Sequence, residues 1–139
     1  MRFAQVMRGT ENKMIKSYKD LTVWQKSMDL VVEIYRIVKL LPPEERYALS
    51  DQMRRAAVSI PSNIAEGNAR GSKKDYANFL SIAKGSSAEL QTQCQICVRL
   101  NFVKEENIQT ALSLCDEVGR MLNTMTIRMR EEKEPGTRN

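Results

Sequence analysis

The chain has 139 residues, with 22 Lys+Arg against 17 Asp+Glu, a formal charge of +5, 42% apolar and 28% charged side chains, and no histidine. These values fit one ordinary globular domain whose core needs neither metal nor disulfide. Zero histidine removes the commonest general base and metal ligand, and with them most triad and zinc-site chemistry.

Three cysteines are too few for a secreted disulfide framework. No apolar run approaches the roughly 18 residues of a membrane span, and no charged and apolar leader pattern is present. The expected address is the cytoplasm. The charge is uneven: residues 1–100 hold 16 basic and 10 acidic side chains, whereas residues 101–139 hold 6 and 7. Such an excess permits a polyanionic partner without requiring one.

Residues 1–16 show no sustained period and read as a loose or artefactual leader, with Met14 an equally good start. Thr22 is the expected N-cap of a first helix. Behind it Leu21, Trp24, Met28, Val31, Tyr35 and Val38 recur at spacings of three and four, the pattern of a core stripe. A second row, Val23, Leu30, Ile34, Ile37 and Leu41, lies beside it, so the apolar face is wider than a small bundle needs. Leu41-Pro42-Pro43 stops the helix, because proline cannot donate and pushes its predecessor out of the αR region.

A second helix is expected from Glu44-Glu45, with Leu49, Met53, Ala56, Ile60 and Ile64 as its stripe. Pro61, inside that pattern, should bend the helix or break it for one turn. Gly67 and Gly71 supply the stop and the turn, and Ser72-Lys73-Lys74-Asp75 approximates a capping box. The third helix carries Tyr76, Phe79, Ala83, Ser86, Leu90, Cys94 and Cys97. Its Gly85-Ser86-Ser87-Ala88 segment costs helix propensity and points to another backbone packed closely there. The fourth helix has the cleanest heptad, Ile108, Ala111, Cys115, Val118, Leu122, Met125 and Met129. Residues 131–139 read as a solvated tail. No window alternates as a strand does. The expected domain, residues 17–130, is an all-α, antiparallel up-down-up-down four-helix bundle.

Several motifs offer chemistry and each has a plainer explanation. Cys94-Gln95-Ile96-Cys97 matches C-x-x-C, with Cys115 on the fourth helix, but these thiols fall on core stripes and no histidine completes a ligand set. Ser81-Ile82-Ala83-Lys84 matches S-x-x-K without the elements that accompany it in acyl transfer. Glu44-Glu45 and Glu105-Glu106 suit helix N-termini. No catalytic residue, cofactor site or metal site is expected.

The basic residues carry more weight. Arg54, Arg55, Arg70, Lys73, Lys74 and Lys84 gather around the hairpin of the second and third helices. If that hairpin turns near Ala69, residues whose numbers add to about 139 are neighbours, which sets Lys84 beside Arg55 and Gly85-Ser86 opposite Arg54. Such a surface suits phosphates. The same arginines can equally pair with Glu66, with Glu89 or with acids of a neighbouring subunit, and no aromatic residues are interleaved for base stacking.

Three stretches, Leu21–Lys26, Gln52–Gly67 and Phe79–Leu90, carry a resemblance, most specifically through Arg54-Arg55-Ala56-Ala57-Val58-Ser59-Ile60-Pro61-Ser62-Asn63-Ile64-Ala65-Glu66-Gly67. From about Tyr18 to Met125 the chain closely resembles the bacterial four-helix-bundle proteins encoded by intervening sequences of large-subunit ribosomal RNA genes, often labelled ribosomal-protein-like. The resemblance implies an antiparallel bundle assembling as a ring-like homopentamer, with no enzymatic activity. It also implies a fold similar to the accessory protein of diversity-generating retroelements, a basic pentamer that binds nucleic acid and a reverse transcriptase. Arg54, Arg55, Asn63, Glu66 and Arg70 fall in the family motif, although Asn63 and Glu66 equally suit helix carbonyls and the turn after Gly67. The two apolar rows of the first helix independently favour self-association. The expected function is a non-catalytic oligomer binding structured RNA or other nucleic acid through its basic surface. The alternative is a structural adaptor whose partner is a protein.

Overall fold

A computed structural model describes residues 16–132. The expected leader, apart from Lys16, and the tail beyond Glu132 lie outside the described residues. Among the described residues the architecture is all-helical: α1 Thr22–Val38, α2 Leu49–Ala69, α3 Lys73–Arg99 and α4 Glu105–Glu131, with short 3-10 turns at Tyr18–Asp20 and Pro43–Glu45. Each helix packs on its chain neighbours, and α4 closes back onto α1. Lys26 pairs with Glu117 at 2.9 Å and Arg36 donates to the Asn107 carbonyl at 3.1 Å, so α1 and α4 run antiparallel. The result is an antiparallel four-helix bundle.

The core is formed by one face of each helix, with Leu30, Ile34, Ile37, Met53, Ile60, Ile64, Leu80, Leu90, Ile108, Val118 and Leu122 all fully buried. Burying a side chain of this size contributes about 1.5–3 kcal/mol relative to leaving it in water. On α1 the structure buries the second row, Val23, Leu30, Ile34, Ile37 and Leu41, and of the first row only its ends, Leu21 and Val38. Between those ends Met28 and Tyr35 are 40% and 42% exposed and Trp24 and Val31 are half-buried, while Val32, in neither row, is 70% exposed. Periodicity shows that two rows exist. It does not say which one the other helices cover.

Three boundaries also differ from expectation. Helix α1 begins at Thr22 itself, with Leu21 ahead of it and no side-chain cap. Helix α2 begins at Leu49 rather than at Glu44-Glu45, because Pro42-Pro43 leads into a separate 3-10 turn. Glu45 caps α2 from outside, accepting from the Leu49 amide at 3.4 Å. Pro61 does not break α2, which runs unbroken to Ala69. The missing donor costs a helical hydrogen bond, while the Pro61 ring is buried with Ile60 and Ile64. At the end of α3, Asn101 adopts a left-handed φ of 61° and the Phe102 amide reaches the Cys97 carbonyl at 2.9 Å, a Schellman-type stop.

The α2–α3 hairpin is held by a close crossing. A Cβ on Gly67 would lie 2.7 Å from Phe79 Cβ, an atom fixed to the backbone of α3. Farther along, the Ser59 and Ser86 hydroxyls bond at 2.9 Å, and Ser87 donates to the Cys115 carbonyl of α4 at 3.1 Å. The small residues of α3 thus admit both neighbouring helices, as expected for Ser86 and Ser87. Gly85 differs, since nothing lies within 4 Å of a Cβ placed there. Gly67→Ala is accordingly expected to destabilise the fold by about 1–3 kcal/mol through overpacking. Gly85→Ala should stabilise it by about 0.5–1 kcal/mol, the helix-interior gain of alanine over glycine. Urea denaturation of the two variants checks the contrast, and equal effects of one sign contradict it.

Candidate nucleic-acid interface

The hairpin register decides where the basic residues meet. The turn is Arg70-Gly71-Ser72, with Gly71 at φ 86° and the Ser72 hydroxyl capping α3 by accepting from the Asp75 amide at 3.1 Å. Since Ser59 faces Ser86 and Gly67 faces Phe79, the pairing runs about six residues later than a turn near Ala69 would give. Lys84 is therefore not beside Arg55, and the expected juxtaposition is corrected. Instead the Lys84 amine donates to Asn123 Oδ1 on α4 at 2.7 Å, which also turns it away from the S-x-x-K pairing with Ser81.

Apart from Lys84, the candidate cations fall into two groups. Arg54 and Arg55 lie at the start of α2, about 22 Å along that helix from Arg70 at 1.5 Å per residue. Arg54 donates to the Arg46 carbonyl at 3.2 Å, and Arg55 pairs with Asp51 at 3.2 Å while its side chain stays 80% exposed. Arg55 opens onto a shallow groove between α2 and α3 lined by Gln52, Ser59, Ser86 and Glu89. At the other end, Arg70 pairs with Glu66 at 2.6 Å and lies over the Phe79 ring with 5.0 Å to its centroid. Lys73 reaches Glu132 at 3.3 Å, and Lys74 is exposed on the first turn of α3. That last contact brings the end of α4 to the start of α3.

Two further cations, Arg128 and Arg130, occupy the last turn of α4 and are exposed. Sequence reasoning passed over them because the fourth helix is nearly neutral as a whole. The signal was there: in an up-down-up-down bundle the end of the fourth helix must meet the turn between the second and third. Asn63 and Glu66 take the local roles open to them. The Asn63 amide donates to the Ser59 carbonyl at 2.7 Å, and Glu66 holds Arg70.

The cysteines make no site. Cys94, Cys97 and Cys115 are free and buried, and the Cys97 thiol contacts Met53 Sδ at 3.5 Å. Burial pushes the Cys94 thiol up to about 12 and those of Cys97 and Cys115 up to about 11. Among the described residues no group of three or more His, Cys, Asp or Glu side chains is placed to hold a metal ion. No helix of the described residues is long and apolar enough to cross a membrane.

A family model described as 23S rRNA-intervening sequence protein matches residues 19–124. The chain belongs to that family. Its fold also matches a crystal structure, at 1.70 Å resolution, of a protein of unknown function from the S23 ribosomal protein family of Bacteroides thetaiotaomicron. The identity is 25%, the TM-score is 0.70, and the match covers 76% of this chain and 98% of that one. A search of curated proteins finds no match. The intervening sequence proteins thus account for the three stretches that carried the sequence resemblance.

The thiol environments set a pH dependence. Their folded values lie above the ordinary 9.0, so the unfolded chain loses protons first as pH rises. Stability from this source is complete below pH 9 and is lost between about pH 9 and 12. Melting temperature should fall steadily across the accessible part of that window. A thiol reagent at pH 8 should label fewer than one cysteine per native chain and all three after denaturation. Rapid labelling of the native protein contradicts the buried placement.

Proposed function

We propose that the protein is a non-catalytic, self-associating helical scaffold, a ring-like homopentamer, that binds structured RNA at the end of the bundle formed by the α2–α3 turn. The observation that carries the RNA reading is the gathering of Arg70, Lys73, Lys74, Arg128 and Arg130 at that end. The α3 N-terminus there adds the partial positive charge of its free amides. Glu66, Asp75 and Glu132 lie in the same region, so a single chain presents only a modest positive field. Repetition around a ring multiplies it, and a structured RNA spanning several subunits gains from each. Membership of a family named for an rRNA intervening sequence supports RNA as the polyanion. A cytoplasmic setting agrees with three unpaired thiols.

Self-association is supported by the outer face of α1. Met28, Val32 and Tyr35 stand in solvent on one helix, and a soluble chain covers such a face with another molecule. The second reading, an adaptor for a protein partner, draws on that same face.

RNA affinity measured at several salt concentrations separates the readings. Neutralising phosphates gives a log–log slope of about −0.7 to −0.9 per contact. Lys74→Ala/Arg130→Ala should weaken binding several-fold and flatten the slope by roughly 1.5, the share of two phosphates. Arg54→Ala, at the other end of α2, should leave both unchanged. An unaltered slope in the double variant contradicts the placement, and an assembled protein without affinity at low salt leaves the adaptor.

A further inference from the structure

We infer that the groove between α3 and α4 carries an unpaired stretch of the RNA that the basic end of the bundle engages, with phosphates on Lys84 and Arg120 and base edges on Gln91 and Asn123. The inference rests on the RNA reading and names the path of the strand and the form of RNA it requires.

The groove has a volume of about 460 Å³, and Lys84, Ser87, Gln91, Arg120, Asn123 and Thr124 supply most of its lining. Small-molecule sites are predominantly apolar, whereas no large apolar side chain lines this groove. Its charges are two cations and one acid, Asp116, so the occupant it favours is polar and anionic. The α1–α4 groove has the opposite character, with Asp29, Glu33 and Glu117 in its lining, and disfavours a phosphate chain.

Gly119, also in the lining, lies inside α4, where glycine costs helix stability relative to alanine. Packing within the chain does not demand it, since a Cβ there would meet only Ser87 Oγ, at 3.9 Å. A glycine without an internal cause leaves room for something outside the chain to approach the α4 backbone. The two cations are held by exchangeable contacts. Lys84 gives one of an ammonium's three donors to Asn123 Oδ1, and Arg120 pairs with Asp116 while its side chain stays 74% exposed. Exposed pairs are worth little, so a phosphate can take the place of the carboxylate. Gln91, Asn123 and Thr124 offer amide and hydroxyl groups to the edges of unstacked bases. No aromatic side chain lines the groove, so phosphates and edges hold the strand rather than stacking.

The groove is continuous with the basic end. Lys73 meets Glu132 and Lys84 meets Asn123 across the same pair of helices, so one seam joins the two places. Lys84 lies about 16 Å along α3 from Lys73, and Arg120 about 15 Å along α4 from Arg130, at 1.5 Å per residue. A strand leaving the end of the bundle reaches the groove by running along the helix axes. A duplex keeps its base edges paired, so contact with Gln91 and Asn123 calls for an unpaired stretch. None of the lining belongs to α1, and the strand leaves the apolar face of that helix untouched.

The test compares, by fluorescence anisotropy, a blunt RNA hairpin with the same hairpin carrying an unpaired oligouridine extension, placed at each end in turn. The wild type should bind one extended RNA several-fold tighter than the blunt one, with a salt slope steeper by about 1.4, the share of two single-strand phosphates. Gly119→Gln, which fills the groove without changing its charge, should abolish that advantage, and so should Lys84→Ala/Arg120→Ala. Gly85→Gln, at an α3 position outside the groove with open space around it, should keep the advantage. Far-UV circular dichroism verifies that each variant is folded. Equal affinity of the wild type for all the RNAs, an advantage that survives Gly119→Gln, or an equal loss in Gly85→Gln each overturns the groove path and leaves the end site standing. No affinity for any of the RNAs at low salt overturns the end site and the groove together.

Discussion

The close crossing of α2 and α3 at Gly67 is the constraint from which the surface chemistry follows. A side chain at Gly67 would collide with Phe79 Cβ, so the two backbones approach only in a register that places glycine there. That register sets Ser59 against Ser86, leaves three residues for the turn, and carries Arg70 over Phe79. It also separates Arg55 from Lys84, which turns to Asn123 of α4 instead. Two cation groups result, one near the start of α2 and one at the α2–α3 turn. The bundle as folded keeps them at opposite ends of α2.

Separation gives the two groups different surroundings. The cations at the start of α2 sit among exposed apolar side chains, the composition of a protein contact. Those at the α2–α3 turn are joined by Arg128 and Arg130 of the last turn of α4, a gathering of cations suited to phosphates. Several of these cations already hold a carboxylate of their own chain, as Arg55 holds Asp51 and Arg70 holds Glu66. Exposed pairs of this kind are worth little, so exchanging an internal acid for an external one costs little. On the proposed reading, such a surface engages a partner through the number of subunits rather than through the strength of any one site.

The four helices and the absence of strands were legible because three–four periodicity and proline stops are local properties of the chain. Buried thiols at Cys94, Cys97 and Cys115 were legible for the same reason: each sits on a stripe that must face inward. What was not legible depends on packing between helices. Both rows of α1 are periodic, and only the arrival of α2 and α4 decides that Leu30 and Ile34 are covered while Met28 and Tyr35 are not. The hairpin register hangs on one crossing at Gly67, and a turn placed two residues early moves every cross-helix neighbour. Arg128 and Arg130 join the basic end through the return of α4, a long-range consequence of topology that no window of sequence contains. Pro61 called for a bend or a break, and α2 runs through it without a break, its ring buried beside Ile60 and Ile64.

The central claim is that the outer face of α1 is covered by other copies of the chain, and hydroxyl-radical footprinting of the protein in solution tests it most directly. In one chain Met28, Val32 and Tyr35 are 40%, 70% and 42% exposed. The account predicts that at working concentration the oxidation of these three residues is suppressed well below that of Tyr47, which is 87% exposed, after allowing for intrinsic reactivity, and that dilution restores it. Oxidation of Met28 and Tyr35 at the rate of the isolated chain, unchanged on dilution, contradicts it.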